Sequence, residues 1–241
     1  MAKILLLGGT EEARRTAEML DAAGASFIVS LASASAEPYP GNERRGGFGG
    51  EDAMVRFIEN EGVEVVADAT HPFAATISPT AKRAARRARV RYLRLERRPW
   101  RRSSGDRWVD VRSLQEAADQ LDNGSVVFLT VGGRSLRPFL MRRDLDLVVR
   151  TIEIPDLDGR RDVTVIRDRG PFTVEDERAL FAQFRFDAMV TKNSGGDATA
   201  AKLVAARERR MLVYMVKRPR GQPHANCRTP EELARRLRRY M

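Results

Sequence analysis

The chain has 241 residues, of which 42% are hydrophobic, enough for two domains of about 100–150 residues that each bury a core. Its formal net charge of +10 favours an anionic partner: nucleic acid, anionic lipid, or a small molecule with several carboxylates or phosphates. The chain has one cysteine, which excludes an intramolecular disulfide. It has only two histidines, so we expect no metal site. No apolar run approaches the roughly 18 residues that span a membrane and no secretory leader precedes Lys3, so we expect a cytoplasmic protein.

The beginning of the chain predicts a strand, a glycine turn and a helix. An apolar run from Ile4 to Leu7 meets Gly8 and Gly9, and apolar residues then recur at helical spacing from Thr10 to Leu20. This order is typical of the first unit of a nucleotide-binding α/β domain. The glycine fingerprint is incomplete, because its third place holds Thr10, whose hydroxyl can donate to a phosphate oxygen. An ordinary turn without a ligand is the alternative.

The second predicted strand runs from Ser26 to Leu31. It ends where a dinucleotide-binding domain usually carries the acid that binds the ribose 2′-hydroxyl. Residues 30–33 contain no acid. This absence favours NADPH over NADH, with Ser30 and Ser33 as candidate contacts and Arg14 as a further one.

A loop rich in proline, glycine and serine follows and ends in Arg44-Arg-Gly-Gly-Phe-Gly-Gly50. The amides of a glycine-rich loop can cover a ligand. Two adjacent arginines and a lone phenylalanine favour a binding loop over a plain linker. We therefore take Gly47, Phe48 and Gly49 as candidate ligand contacts, and Arg44 and Arg45 as candidate cations for an anionic substrate.

A predicted helix from Glu51 to Glu61 and a strand from Val63 to Ala69 lead into Thr70-His-Pro-Phe73. Ligands of open parallel sheets bind beyond the carboxyl ends of the strands, which is where this segment is expected. A loop histidine is more often a hydrogen-bonding residue than a catalyst, but its expected location favours a role for His71. A helix from Ser78 to Ala88 and a strand from Val90 to Leu95 complete the first half.

The segment from Arg97 to Asp106 is the predicted domain boundary, and the second half repeats the alternation of strands and helices. The predicted strands are Trp108–Val111, Val126–Val131, Leu147–Ile152, Val163–Ile166, Ala188–Val190 and Leu212–Val216. The predicted helices are Leu114–Leu121, a helix capped by Thr173 and Asp176 that ends at Phe184, a helix capped by Asp197 that ends at Arg209, and Pro230–Tyr240.

Polar or glycine-rich segments follow several strands of both halves. In the second half they supply the cations Arg134, Arg169 and Lys192. The predicted fold class is α/β, with two doubly wound domains, mainly parallel sheets and an interdomain cleft. The domains are residues 1–100, which bind the cofactor, and residues 101–241, which contribute to the substrate cleft.

Five motifs resemble the precorrin-6A reductase family of cobalamin biosynthesis. They are Leu6-Leu-Gly-Gly-Thr10 with Glu12 and Arg14, Gly46-Gly-Phe-Gly-Gly50, Asp68-Ala-Thr-His-Pro-Phe-Ala74, Arg169-Gly-Pro-Phe172 and Thr191-Lys-Asn-Ser-Gly-Gly196. The similarity covers nearly the whole chain, in order and at compatible spacings. The third and fifth motifs are long, unusual strings.

The resemblance implies two Rossmann-like domains, with NADPH and a polycarboxylate tetrapyrrole meeting in the cleft. It implies hydride transfer from NADPH to a ring double bond of precorrin-6A, giving precorrin-6B, with other enzymes of the pathway as partners. The expected cofactor contacts are Gly8, Gly9, Thr10, Glu12, Arg14, Ser30, Ser33, Gly47, Phe48, Gly49, Thr70 and Pro72. The expected substrate contacts are Arg45, Arg134, Arg169, Lys192, Asn193, Ser194 and Gly195. His71 and Lys192 are the expected catalytic residues.

The chain departs from the family at one place that bears on the cofactor. The family commonly carries Ser-Leu-Ala-Gly-Arg after the second strand, whereas this chain has Ser30-Leu-Ala-Ser-Ala34 and lacks that arginine. The segment Val131-Gly-Gly-Arg134 is also one glycine longer than the family's usual Gly-Arg.

Three other interpretations remain open. A cobalt-precorrin-6A reductase of the anaerobic pathway, or another NAD(P)H reductase or epimerase, fits the same scaffold, although no tyrosine has a lysine four residues later. A basic nucleic-acid-binding protein is disfavoured by the 7% aromatic content and by the absence of a recognisable binding motif, so no specific nucleic acid is expected. A regulatory protein that binds nucleotide without turnover is the third.

Overall fold

The computed structural model describes residues 3–32 and 37–241, so the predicted contact Ser33 lies outside the described residues. The chain forms two compact units. The first comprises Met1–Arg98 and Pro219–Met241, and the second comprises Pro99–Arg218. Among the described residues, no helix combines the length and the apolar character that crossing a membrane requires.

The first unit contains a five-stranded sheet in the order β3-β2-β1-β4-β5. Its strands are β1 (Lys3–Leu7), β2 (Phe27–Leu31), β3 (Asn42–Arg45), β4 (Val63–Asp68) and β5 (Arg91–Arg94). Every neighbouring pair is parallel, so all the carboxyl ends lie at one edge. The direction of winding reverses between β1 and β4, which is where doubly wound sheets bind ligands.

Helices cover both faces of this sheet. Side chains alternate between the two faces along β1, and the apolar residues on each face need a covering layer. These helices are α1 (Glu11–Ala22), α2 (Glu51–Asn60), α3 (Ile77–Arg87) and α8 (Pro230–Leu237), numbered in chain order. Ile4 and Leu6 pack with apolar residues of α1 and α8. Leu5 and Leu7 pack on the other face with residues of α2 and α3.

The second unit contains a six-stranded, fully parallel sheet in the order β6-β11-β10-β7-β8-β9. Its strands are β6 (Arg107–Val111), β7 (Val126–Thr130), β8 (Asp146–Thr151), β9 (Thr164–Arg167), β10 (Ala188–Lys192) and β11 (Leu212–Val216). Its helices are α4 (Leu114–Asp119), α5 (Arg137–Leu140), α6 (Val174–Phe184) and α7 (Ala201–Glu208). The winding of this sheet reverses between β7 and β10.

Most predicted elements are present, and α6 begins at the predicted capping box. The Thr173 hydroxyl accepts from the amide of Asp176 at 3.1 Å, and the Asp176 carboxylate accepts from Thr173. Two elements, β3 and α5, were not predicted, and the prediction that Asp197 caps α7 is wrong. That helix begins at Ala201, after a turn in which the amide of Ala200 donates to the carbonyl of Asp197.

The assignment of residues 101–241 to one domain is corrected at the C-terminus, because residues 219–241 belong to the first unit. Cys227 forms a parallel bridge with Leu95 just beyond β5. Helix α8 then packs against α1, with Leu233 and Leu237 in the same buried cluster as Ala13 and Ala17. The bridge between Leu95 and Cys227, which attaches residues 219–241 to the first unit, joins residues far apart in sequence.

Candidate functional site

The glycine turn and the Thr70 segment meet where the first sheet reverses its winding. The Thr10 hydroxyl donates to the carbonyl of Ala69 at 2.7 Å and accepts from the amide of Ala13 at 3.1 Å. Thr10 is therefore the N-cap of α1 and also joins the ends of β1 and β4. Because both functions engage its hydroxyl, the expected donation from Thr10 to a phosphate would require these bonds to rearrange.

The two glycines of this turn have different reasons to be glycine. A Cβ on Gly8 would lie 3.0 Å from a methyl group of Leu31, so the turn passes close to β2. Gly9 has a φ of +101°, which L side chains rarely adopt, and a Cβ there would meet nothing within 4 Å. The side of Gly9 on which a Cβ would lie is therefore open, one residue before the N-cap of α1.

Tyr39, which sequence reasoning did not single out, closes this turn. Its hydroxyl accepts from the amide of Gly9 at 3.2 Å and donates to the carbonyl of Thr10 at 3.0 Å. Arg14 stacks on the Tyr39 ring, 4.3 Å from its centroid, and donates to the carbonyls of Glu37 and Pro38. The structure therefore places the predicted contact Arg14 against the segment that carries Tyr39.

Glu12 forms an ion pair with Arg97, which follows the edge strand β5. Its carboxylate accepts from Arg97 at 2.5 Å, and both side chains are largely buried. An unpaired carboxylate at this helix N-terminus would repel a pyrophosphate. The ion pair with Arg97 reduces that repulsion, and Arg97 lies too far along the chain for a local motif to reveal it.

Ser30 and Arg44 form a pair at the ends of β2 and β3, where they are register partners. Arg44 donates to the Ser30 hydroxyl at 3.2 Å and to the carbonyls of Gly46 and Gly47 at 2.7 and 2.8 Å. Its guanidinium also lies 3.7 Å from the centroid of the Phe48 ring. Burial lowers the pKa of the Arg44 guanidinium, and each of these partners is neutral.

The glycine-rich loop is held in place by these same contacts. Phe48 is half-buried and meets Phe57 of α2 edge-on, with 5.3 Å between ring centroids. The predicted contacts Gly47 and Gly49 are exposed on either side of it. The guanidinium of Arg45, the predicted substrate cation, forms an ion pair with the carboxylate of Glu43 at 2.7 Å.

His71 lies in the loop that follows β4. Its Nδ1 accepts from the amide of Phe73 at 3.2 Å. A neutral imidazole whose Nδ1 is an acceptor carries its proton on Nε2. The half-buried ring is thus set to donate from Nε2, while Pro72 beside it is buried.

A buried polar network supports this loop. Asp68 accepts from the amide and hydroxyl of Thr70 at 3.0 and 2.7 Å through one carboxylate oxygen. Through the other it accepts from Tyr92 at 2.6 Å and Arg94 at 3.1 Å. Asp68 and Arg94 are both fully buried. Burial and the neighbouring Asp68 charge raise the pKa of the Tyr92 phenol, so it stays a donor.

In the second unit, Lys192 spans the place where the sheet reverses its winding. It ends β10, and its ammonium donates to the carbonyl of Val131 at 2.7 Å and to the hydroxyl of Ser135 at 2.8 Å, both after β7. The side chain is half-buried, and burial lowers its pKa. Lys192 is therefore not a solvated surface lysine.

The loops after β7, β8, β9 and β10 contact one another, and we call them the carboxyl-edge loops (residues 131–135, 151–155, 168–172 and 192–198). A Cβ on Gly133 would lie 3.1 Å from Cβ of Pro155. The amide of Asp168 donates to the carbonyl of Thr151 at 3.0 Å. The amide of Phe172 donates to the carbonyl of Ala198 at 3.2 Å.

These loops bring the predicted residues of the second half together at one edge of the sheet. Arg134 and Arg169 are exposed there. Arg150 of β8 forms a buried, two-fold hydrogen-bonded pair with Glu177 and lies 3.8 Å from the centroid of the Phe172 ring. This contact fixes the loop that carries Arg169.

Asn193, Ser194 and Gly195 lie mostly inside the protein. The Asn193 side chain accepts from the amide of Trp100 at 2.8 Å and donates to its carbonyl at 3.1 Å. Arg218 donates to the carbonyls of Asn193 and Ser194, both at 2.9 Å. Ser194 and Gly195 are buried. The side-chain amide of Asn193 therefore holds its own loop against the backbone of Trp100.

Comparisons with known proteins agree with this geometry. The chain is 41% identical over 223 residues to a precorrin-6A reductase of Rhodococcus erythropolis, covering 91% of this chain and 90% of the relative. It is 33% identical to a cobalt-precorrin-6A reductase of Priestia megaterium, covering 97% of each. A solved structure described as CobK precorrin-6A reductase superposes with a TM-score of 0.91 at 35% identity, covering 100% of this chain and 97% of that one.

The family model described as precorrin-6x reductase CbiJ/CobK matches residues 3–238. The chain belongs to this family. Membership confirms the resemblance read from the five motifs and the oxidoreductase class, and the solved structure confirms two Rossmann-like domains. A reductase of this family is consistent with a nicotinamide cofactor.

Sequence reasoning missed the residues that hold the predicted motifs in position. They are Tyr39, Asp68, Arg94, Arg97, Arg150 and Arg218. One signal was available: Asp68 opens the unusual string that continues through His71. The others act across long sequence separations, where a single sequence carries no pairing information.

Proposed function

We propose that this chain reduces a ring double bond of precorrin-6A with a hydride from NADPH, giving precorrin-6B. The observation that carries the proposal is the family match over residues 3–238, together with a glycine turn and a histidine loop joined by the Thr10–Ala69 bond. The first unit binds the cofactor. The second unit binds carboxylates of the tetrapyrrole.

The residues of the first unit fit NADPH. The side of Gly9 on which a Cβ would lie is open, and the pair of Arg97 with Glu12 reduces the negative charge at the N-terminus of α1. When bound, NADPH supplies the hydride. The protein orients the cofactor through the glycine turn and the glycine-rich loop, so that the face of the nicotinamide is presented to the substrate.

Arg44 takes the place of the arginine that the family carries after the second strand. It lies at the end of the neighbouring strand and binds Ser30. A partly buried guanidinium whose protein contacts here are neutral gains a charge-assisted bond when a 2′-phosphate arrives. Arg44 and Ser30 together therefore favour NADPH over NADH, whereas Arg45 is already paired with Glu43.

Two side chains of the proposed site orient the reactants. His71 carries its N–H on Nε2, because Nδ1 accepts from the amide of Phe73. Lys192 carries an ammonium with a lowered pKa, bound to Val131 and Ser135. We assign His71 the role of orienting the bound reactants through a hydrogen bond from Nε2, and Lys192 the role of carboxylate anchor at the carboxyl edge of the second sheet.

The test is anaerobic incubation of the full chain with NADPH and precorrin-6A, followed by absorbance and mass. We expect NADPH to be consumed and the tetrapyrrole to gain two hydrogens. The cobalt-containing form of the substrate, run in parallel, distinguishes the two specificities found among the relatives. An unchanged tetrapyrrole mass with both forms would contradict the proposed function.

A further inference from the structure

The carboxyl-edge loops present two large apolar side chains to solvent. Ile152 and Ile154 are 53% and 72% exposed. They lie between Thr151 and Pro155, which are buried, so the loop is anchored at both ends. The Thr151 hydroxyl donates to the carbonyl of Glu153 at 2.6 Å and fixes the turn between them. The two isoleucines place apolar surface next to each other in one loop, and contiguous apolar surface is what marks interaction sites.

A cation adjoins this surface through the loop packing. Ile154 precedes Pro155, and Arg134 follows Gly133, which packs directly on Pro155. Arg134 is exposed and sits in the loop that Lys192 holds. The edge therefore combines an apolar patch with positive charge beside it, a pattern that complements a large ring with an apolar face and an acidic rim.

We propose that Ile152 and Ile154 contact one face of the tetrapyrrole ring and that Arg134 binds a carboxylate of its rim. The inference rests on the proposed function and adds the residues that recognise the ring itself. Burial of the two isoleucines against the ring removes apolar surface from water, which favours binding. The exposed guanidinium of Arg134 attracts the rim carboxylates and so orients the ring on this surface.

The experiment uses uroporphyrin, an unreactive tetrapyrrole with carboxylates around its rim, so that binding is measured without hydride transfer. Its dissociation constant is determined by fluorescence titration for the full chain and for the double variant Ile152→Asn with Ile154→Asn. Both side chains are exposed, so these substitutions leave the core intact. We expect the double variant to bind roughly tenfold more weakly, with unchanged NADPH affinity.

A matched control is Met141→Asn. Met141 is 66% exposed in the same unit, but it follows α5 on the path back to the amino end of β8. We expect it to bind uroporphyrin as the unaltered chain does. Arg134→Gln should weaken binding by about tenfold, and Arg143→Gln, an exposed arginine near Met141, should not.

The outcomes separate the inference from the proposed function. Unchanged uroporphyrin affinity and an unchanged KM for precorrin-6A in the isoleucine variant would overturn the inference, while turnover by the unaltered chain would still support the function. Equal loss of affinity in Met141→Asn would also overturn it. A shift in oligomeric state with unchanged affinity would assign the patch to a second copy of the chain and contradict a ring contact.

Discussion

The two sheets are built alike but end differently at their carboxyl edges. In the first unit, the reversal of winding is occupied by a glycine turn whose polar side chains, Thr10 and Tyr39, bind the protein's own backbone. In the second unit, the same place is spanned by Lys192, beside exposed arginines and isoleucines. The first edge leaves space for a phosphate-bearing ligand, and the second presents charge and apolar surface. Parallel topology fixes where a ligand binds, and the side chains decide which ligand it is.

The largest loss of stability is expected when the buried ion pair that supports each carboxyl edge is broken. These pairs are Asp68–Arg94 in the first unit and Glu177–Arg150 in the second. Arg94→Met should lower the free energy of unfolding by about 3–5 kcal/mol, because Asp68 stays buried without its cation. Urea unfolding measures this loss. Arg94→Met should also weaken NADPH binding, through Thr70 and His71, whereas Arg150→Met should weaken tetrapyrrole binding, through Phe172.

The double variant Asp68→Asn with Arg94→Met is the control for charge burial. It should recover part of the lost stability, since position 68 no longer carries a buried charge without its cation. If both arginine variants impaired both ligands equally, the division of roles between the two edges would be contradicted.

The next effect concerns the cofactor's 2′-phosphate. Arg44→Gln should weaken NADPH binding by about 1.5–3 kcal/mol, or roughly ten- to hundredfold, and leave NADH binding nearly unchanged. Fluorescence titration with both cofactors gives the ratio. Arg45→Gln is the matched control, because Arg45 is already paired with Glu43. Equal losses of affinity for NADPH and NADH would contradict a contact between Arg44 and the 2′-phosphate.

The strands that carry the site could be predicted because they are short apolar runs that end in glycine or polar residues. Strand β3 could not, since its residues Asn42–Arg45 are all polar. Its formation depends on backbone pairing with β2 at the sheet edge, where side chains need not be apolar. For the same reason, Arg44 was expected in a loop and is found as the register partner of Ser30.

The candidate site could be predicted as a set of segments but not as a set of contacts. The strings from Asp68 to Ala74 and from Thr191 to Gly196 do lie at strand ends. Their residues differ in function, however: Lys192 reaches across to β7, while the Asn193 amide binds the backbone of Trp100. Tertiary packing decides which backbone group each of these side chains binds. The spacing of residues along the chain carries no information about that choice.

A smaller effect is expected at Lys192, which sharpens the account of the second edge. Lys192→Met should lower kcat/KM for precorrin-6A by about tenfold, with NADPH affinity unchanged. Because burial lowers the pKa of Lys192, the ammonium loses its proton at a lower pH than an exposed lysine does. Tetrapyrrole binding should therefore weaken as pH rises, at a pH below 10.5, the ordinary value for lysine.

Lys192→Arg is the control for this pH dependence. Arginine keeps its charge throughout the range, so the alkaline loss of tetrapyrrole binding should disappear or move to higher pH. An identical alkaline limb in the two proteins would assign the titration to another group.

Hydrogen–deuterium exchange of the unaltered chain, alone and with each ligand, tests the division between the two edges most directly. With NADPH, we expect slower exchange at residues 8–12 and 44–50, in the first unit. With uroporphyrin, we expect slower exchange in the carboxyl-edge loops, at residues 131–135 and 151–155. Protection of the second edge by NADPH, with the first edge unchanged, would contradict the account.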